Sequence, residues 1–444
     1  MLLCGGCVSG AMHLTVVCEV KRLCGAMWLL WVLGMFSWSS LAATPSHTTA
    51  PPAQKRQQYS FGRSFLGLDK CNACIGTSSC KKFFKEEIRF ERWLSPRLQL
   101  PPTFKKSYPG NYTDDSESWR PVIISRLLSH HKHEVSDKRI CSSATQRHPC
   151  SIEGVLRKTE RFQSLAHSSL LTPPMVQGLS SPLLRCPSQR LLDRIVRRYA
   201  EVTDAGSVQM KHFAERDKLR LLYTLSVNQQ PIMLQIFPGA EGWPFPKYYG
   251  SCGRLMVSAS TKPIKEFYGS SLETRADIAF QLLQITQSLR TNSLHFFLYY
   301  TTVSGSMFGT FEDGRLFVTD ASTIGVIDKQ EGIPADDKQK PDLTDVFSCL
   351  SLSCRRPPPC WTVRESQSLN LICRDILPQL LMPARDEAVE KAIGRQLQVC
   401  GDGMLPDNRI IDAANALMSL LKPMRPCNQH FNYRYPECRY SQEF

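Results

Sequence analysis

The chain has 444 residues, 42% hydrophobic and 21% charged, so it can bury a large core and is neither a peptide hormone nor a wholly disordered protein. Its formal net charge of +14 favours anionic partners such as sulfated glycans, acidic proteins or phospholipid headgroups. Nucleic acid fits that charge but not the compartment implied by the N-terminus, and is excluded on that ground.

Lys21 and Arg22 precede the apolar run MWLLWVLGMFSW, after which Ser40 and Ala42 stand at the spacing of a signal-peptide cleavage site. Residues 1–43 therefore read as a signal peptide, with a mature start at Ala43 or Thr44 and secretion through the endoplasmic reticulum and Golgi. The stretch before Met27 is long for a leader, so two alternatives stand beside this one: initiation at Met27, or retention of Leu23 to Ala43 as an anchor. A membrane partner follows only from the anchor. Residues 44–60 are rich in Thr, Pro and Gln with almost no large apolar side chain, and read as a disordered linker.

Of 18 cysteines, 14 remain beyond the leader: Cys71, Cys74, Cys80, Cys141, Cys150, Cys186, Cys252, Cys349, Cys354, Cys360, Cys373, Cys400, Cys427 and Cys438. An even number in an oxidising compartment predicts a disulfide framework of unknown connectivity. The CxxC at Cys71 and Cys74 could serve zinc or redox chemistry, but it lacks a second close pair and the flanking elements of a thioredoxin site. Structural disulfides fit it better. Asn111 opens the acceptor NYT, a glycosylation site expected on the surface.

Folded sequence begins near Phe61. Val122, Ile123 and Ile124 predict a strand, and the HHKH of His130 to His133 predicts a solvated helix face rather than a metal site. In CPSQRLLDRIVRRYAE, Leu191, Leu192, Ile195, Val196 and Tyr199 recur at helical spacing behind a capping Ser188, leaving Arg190, Arg194, Arg197 and Arg198 to the wet side. PIMLQIF (Pro231 to Phe237) and GRLMVSAS (Gly253 to Ser260) read as strands, and SLETRADIAFQLLQITQSLRTN as a helix with Ile278, Leu282, Leu283 and Leu289 facing a core. Beyond Phe296 come a strand, a loop, a short strand, the turn EDGR and the strand LFVTD. Three more helical stretches follow a Cys- and Pro-rich patch, near 365–382, 386–399 and 409–422.

Helix, loop, strand, turn and strand is the order in which a protein kinase presents its catalytic base and metal ligands. Eighteen residues before Asp320 stands Thr302, and five after Thr302 stands Met307, the intervals at which a base and a metal-binding Asn are expected. Threonine is no carboxylate base, and a thioether does not replace an amide oxygen on a hard cation.

The strings FLGLDKCNACIGTSSCKKFF, CPSQRLLDRIVRRYAE, FPGAEGWPFPKYYGSCGR and MFGTFEDGRLFVTDAS resemble the divergent protein kinase domain family, the secretory-pathway group that includes the deleted-in-autism protein. The resemblance implies an α+β, two-lobed protein-kinase-like fold with a disulfide-rich N-terminal extension. It makes residues 61–262 the Cys-rich extension and N-lobe with a helical insertion, and residues 263–444 the helical C-lobe. It also implies site positions: the strand lysine falls at Ser125, the catalytic Asp at Thr302 and the metal-binding Asn at Met307, while Asp320 alone keeps a metal ligand. The glycine-rich loop falls near YPGNY, where Gly110 is the sole glycine, and the helix glutamate nearest to expectation is Glu134.

The implied function is a secreted pseudokinase acting by binding a cell-surface receptor, another extracellular protein or a sulfated glycan, with no cofactor assigned. The alternative is an atypical secretory-pathway kinase or nucleotide-dependent transferase, using ATP and Mg with Arg126 or Lys132 in place of the lysine. No hydrolase motif such as G-x-S-x-G or H-E-x-x-H is present.

Overall fold

The computed structural model describes residues 78–91, 107–114, 118–199, 210, 213–332, 345–350, 358–383 and 387–425. The expected leader and linker, and Cys71, Cys74, Cys354, Cys427 and Cys438, lie outside the described residues, as does the side chain of Cys349. Among the described residues no helix is long and apolar enough to cross a membrane.

The first part of the fold is an antiparallel sheet. Helix α1 (Cys80–Phe84) leads into strands β1 (Ile88–Phe90), β2 (Ser107–Thr113) and β3 (Trp119–Arg126), and the sheet is completed much later by β4 (Tyr248–Cys252) and β5 (Leu255–Ala259). The strand order is β1-β2-β3-β5-β4. Alternation along β3 sends Val122 and Ile124 to one face, where they pack with Phe83, Ile88, Tyr108 and Val257 in a small core of their own. The Cys80–Cys252 disulfide ties α1 to that face. Ser125 has the opposite parity and stands in register with Met256, whose side chain belongs to the large core.

Gly110 lies in the middle of β2, opposite Phe90 and Val122, and not in a loop over a ligand. A Cβ there would sit 2.5 Å from the Arg89 carbonyl oxygen, so the glycine answers to close strand packing. The expected glycine-rich loop at YPGNY is therefore corrected to a strand. Asn111, the expected glycan acceptor, is half-buried on the same strand, paired with Arg89 and Pro121.

Between β3 and β4 the chain is helical. α2 (His130–Ser143), α3 (Ile152–Leu156), α4 (Glu160–His167), α5 (Pro173–Val176), α6 (Gln189–Tyr199), α7 (Glu215–Val227) and α8 (Gln230–Ile236) follow in turn. The stretch Pro231 to Phe237, expected as a strand, is thus helix α8. Seven apolar-rich residues suit either period, and Pro231 sits in the first turn, where its missing N–H is not needed. Pro231, Ile232, Met233, Leu234 and Ile236 are all buried, so neither face offers the alternation of a half-exposed strand.

After β5, the pair β6 (Lys262–Pro263) hands the chain to α9 (Leu272–Arg290), β7 (Phe296–Tyr300), β8 (Phe308–Thr310), β9 (Leu316–Val318) and β10 (Ile324–Asp328). β7 pairs with β10, and β6, β8 and β9 form a second small sheet. α10 (Gln367–Asp375), α11 (Leu377–Leu381), α12 (Glu387–Gly401) and α13 (Asp407–Leu421) close the fold. Ile278, Leu282, Leu283 and Leu289 of α9 are buried, as their spacing predicts. One continuous apolar core runs from Leu127 and Ile140 through α9 to Leu421. Three further disulfides, Cys141–Cys150, Cys186–Cys360 and Cys373–Cys400, join the expected candidates.

Two helix faces expected to be wet are so only in part, with His131, Lys132 and Arg197 exposed. His133 is only 4% exposed, and its Nε2 accepts a hydrogen bond from the Leu128 N–H. On α6, Arg190 holds the buried Asp328 carboxylate through both oxygens and stacks 4.0 Å over the Phe296 ring. Arg194 donates to the Ile236 carbonyl, and Arg194 and Arg198 both pair with Glu241. These arginines lie off the apolar stripe because they bind other elements, and Arg197 is the one of the four left exposed.

Candidate functional site

The kinase-like hairpin forms where the alternation placed it. Every residue of β7 is buried, and Gly325 of β10 stands opposite Tyr299, where a Cβ would lie 2.2 Å from the ring. The connection after β7 passes Thr302 and reaches Met307, β8 and β9 then pair through a turn at Glu312 to Gly314, and the chain arrives at Asp320. Gly314 adopts φ +76°, which the turn requires and a side chain would resist. Asp313 accepts from the Arg315 N–H and closes it.

The expected positions meet only in part. Thr302 is exposed, and its carbonyl accepts from the Thr323 hydroxyl at 3.3 Å. Met307 is 5% exposed, and its carbonyl accepts from the Thr319 N–H at 2.8 Å and the Asp320 N–H at 3.3 Å. Met307 and Asp320 are therefore neighbours through backbone, while the thioether lies in the core. The half-buried Asp320 carboxylate accepts from the Ser322 N–H at 3.0 Å, a local turn. Ser125 stays on β3, half-buried. Lys132 and Ser322 line one cavity of about 380 Å³, with Leu127, Asn228 and Gln229 in its wall, and neither Ser125 nor Asp320 lines it.

The segment around Asp320 is gripped by the last two of three consecutive carboxamides that stand just before the stretch expected as a strand. Asn228 donates to the Leu127 carbonyl at the end of β3 (2.7 Å). Gln229 donates to the Ala321 and Ile324 carbonyls (3.0 and 2.6 Å) and accepts from the Ser181 hydroxyl and the Leu183 N–H (2.6 and 2.7 Å). Gln230 donates to the Thr319 carbonyl at 2.7 Å. All three side chains are at most 9% exposed. Asn-Gln-Gln inside an otherwise apolar stretch was the available signal, because buried amides need partners.

The helix after β3 also departs from expectation. Glu134 pairs with His130 of its own helix at 3.7 Å, so it is corrected as the candidate helix glutamate. The buried carboxylate of α2 is Asp137, which receives both Nη groups of Arg254 at 2.9 and 2.6 Å from the β4–β5 turn. At the far end of the hairpin, burial pushes the Asp328 carboxyl up, but hydrogen bonds from Arg190, the Gln330 N–H and Ser188 outweigh it and hold the pKa below the ordinary value.

A profile of the family described as "Protein-kinase domain of FAM69" matches residues 222–403. The chain is 55% identical over 417 residues to human divergent protein kinase domain 2B, covering 94% of this chain and 96% of that one. The belonging is decided by that coverage. The chain is a member of the divergent protein kinase domain family. The mouse 2B protein is 53% identical over 417 residues (94% and 95% covered), and the Xenopus tropicalis 2A protein 37% identical over 324 residues (71% and 75% covered).

As a divergent protein kinase domain, the chain keeps the scaffold that places a base, two metal ligands and a strand cation around one cleft. Its side chains do not fit the magnesium nucleotide that such a cleft would hold. Asp320 offers one carboxylate already engaged by Ser322, Thr302 offers no base, and Met307 points a thioether into the core. Among the described residues no cluster of three His, Cys, Asp or Glu side chains could hold a metal ion.

Proposed function

We propose that this divergent protein kinase domain is a secreted pseudokinase that acts outside the cell by binding a receptor, another extracellular protein or a sulfated glycan. The observation that carries the reading is the position of the buried ion pair between helix and sheet. In a phosphotransferase of this fold, the strand lysine meets both the phosphates and a helix glutamate, so the pair stands where the reaction occurs. Here Ser125 holds the strand position, and the pair is Asp137 with Arg254, each charge engaged by the other. The pair braces the helix against the sheet without the strand position, and the cation that remains on β3 is Arg126, the residue after Ser125.

The second reading is an atypical secretory-pathway kinase or nucleotide-dependent transferase using ATP and Mg. One observation favours it: exposed Lys132 shares a cavity with Ser322, two residues beyond Asp320.

A thermal-shift titration of the full chain with ATP, with and without Mg²⁺ or Mn²⁺, separates the two, because a ligand that binds the native state raises its melting temperature with concentration. No shift is expected. A metal-dependent shift abolished by Asp320→Ala would replace the first reading with the second. Secretion and use of Asn111 are tested together by N-terminal sequencing and glycosidase treatment of protein from the culture medium. Product that stays with the membrane fraction and begins before Leu23 would favour the anchor.

A further inference from the structure

The cations of this chain are of two kinds. Those of α6 are largely committed to fixed partners, as are Arg157 with Glu153, Arg161 with Asp345 and Arg364 with Asp407. On α2 and the loop after it, Lys132, Lys138 and Arg147 are exposed and have no carboxylate partner among the described residues. We infer that the outer face of α2, with the Cys141–Cys150 loop, binds a sulfated glycan chain. The inference rests on the reading that the protein acts by binding, and names where and what.

Geometry gives the face its direction. At 100° per residue, buried His133, Asp137, Ile140 and Cys141 define the inner side of α2, and Lys132, Val135, Lys138 and Arg139 fan across the opposite side. Lys132 and Arg139 are two turns apart, about 10 Å along the axis. The disulfide and the bonds from the Thr145 N–H to Ser142 and the Gln146 N–H to Cys141 hold Arg147 just past the helix end. The cations therefore stand on a rigid element, and a linear polyanion meets them with little backbone to order. The one carboxylate on this face, Glu134, lies against His130.

The surroundings select a glycan over an acidic protein. Among the described residues, Val135, at 38% exposure, is the large apolar side chain showing on this face, and no exposed aromatic of the sort that anchors protein interfaces stands there. Beside the C-terminal end of α2 runs an open groove of about 770 Å³, bordered by Ser143 and Thr159, whose hydroxyls donate to backbone carbonyls, and by Ser164, Thr172 and exposed Lys158. Of its two acids, Asp345 is held by Arg161 at 2.7 Å and Glu160 is open to solvent. Sugar hydroxyls find partners in the groove, and sulfates find cations along the helix.

The test is heparin binding of the full chain as a function of salt. The charge reversal Lys132→Glu, Lys138→Glu, Arg147→Glu is compared with an equal reversal elsewhere, Lys265→Glu, Arg395→Glu, Arg409→Glu. The first triple is expected to weaken binding at least tenfold at physiological salt and to flatten its salt dependence, since fewer counterions are released. The second is expected to change it less than threefold, and desulfated heparin to bind neither protein. If the first triple fails to fold, the same three positions changed to Gln serve instead. Equal weakening by both triples would overturn the inference, as would polyglutamate binding as tightly as heparin. Nucleotide titration of the unsubstituted protein reports on the noncatalytic reading independently: a Mg-ATP shift removes that reading and leaves a positive heparin result standing.

Discussion

Gln229→Ala removes the centre of the carboxamide grip on the segment that carries Asp320. Four hydrogen bonds of 2.6 to 3.0 Å are lost: the Ser181 hydroxyl, the Leu183 N–H and the Ile324 carbonyl lose this partner in the interior, while the Ala321 carbonyl keeps the Ile324 N–H at 3.3 Å. A buried neutral hydrogen bond contributes about 1 kcal/mol net, and an orphaned partner costs roughly 1–3 kcal/mol. Gln229 borders the cavity of about 380 Å³, from which water can reach the vacated space and solvate some of these groups. The net cost therefore falls near the low end, about 3–5 kcal/mol. For a chain of this size that corresponds to a fall in melting temperature of roughly 3–5 °C. Differential scanning fluorimetry and guanidinium unfolding of purified protein measure it. Gln163→Ala, which removes one bond from an exposed side chain to the Arg157 carbonyl, is the control and should stay within about 0.5 kcal/mol of the parent. If Gln229→Ala shifts the melting temperature by no more than the control, the grip is not what holds this segment, and the reasoning from buried amides fails.

Other outcomes follow from the same contacts. Asp137→Ala leaves Arg254 charged and unpaired in the interior and should destabilise by about 3–5 kcal/mol, whereas Asp137→Leu with Arg254→Met should recover most of that in denaturant titration. Asp328 has a folded pKa below its ordinary 3.8, so its contribution is complete above that value and is lost as pH falls through the lower folded one. Arg190→Met should remove that part of the acid dependence, and an unchanged stability profile below pH 4 would contradict it. Gly110→Ala pushes a methyl group to 2.5 Å from the Arg89 carbonyl and should cost roughly 1–3 kcal/mol, read as a lowered guanidinium midpoint.

Local pattern carried a good deal of this protein. Alternation and turn residues were enough to read β3, the β8–β9 hairpin with Gly314 at its turn, and the core face of α9, because each signal lies within about twenty residues of chain. Spacing from Asp320 likewise sufficed to find Thr302 and Met307 and to see that neither is a carboxylate or an amide. The apolar run of α8 defeated the same method, since seven residues of which only Gln235 is not buried satisfy strand and helix equally, and only the packing around them chooses.

By itself, then, the sequence determined which side chains stand at the spacing where a kinase keeps its catalytic groups, for a residue's identity is a local fact. Only the tertiary structure decided what packs around them. Asp137 and Arg254 are 117 residues apart, Arg190 and Asp328 138, and Gln229 and Ile324 95, and no periodicity links such positions. Whether an arginine on a helix faces water or a buried carboxylate depends on what the rest of the chain brings against it. Burial makes those pairings strong and leaves Lys132 and Lys138 of α2 to solvent.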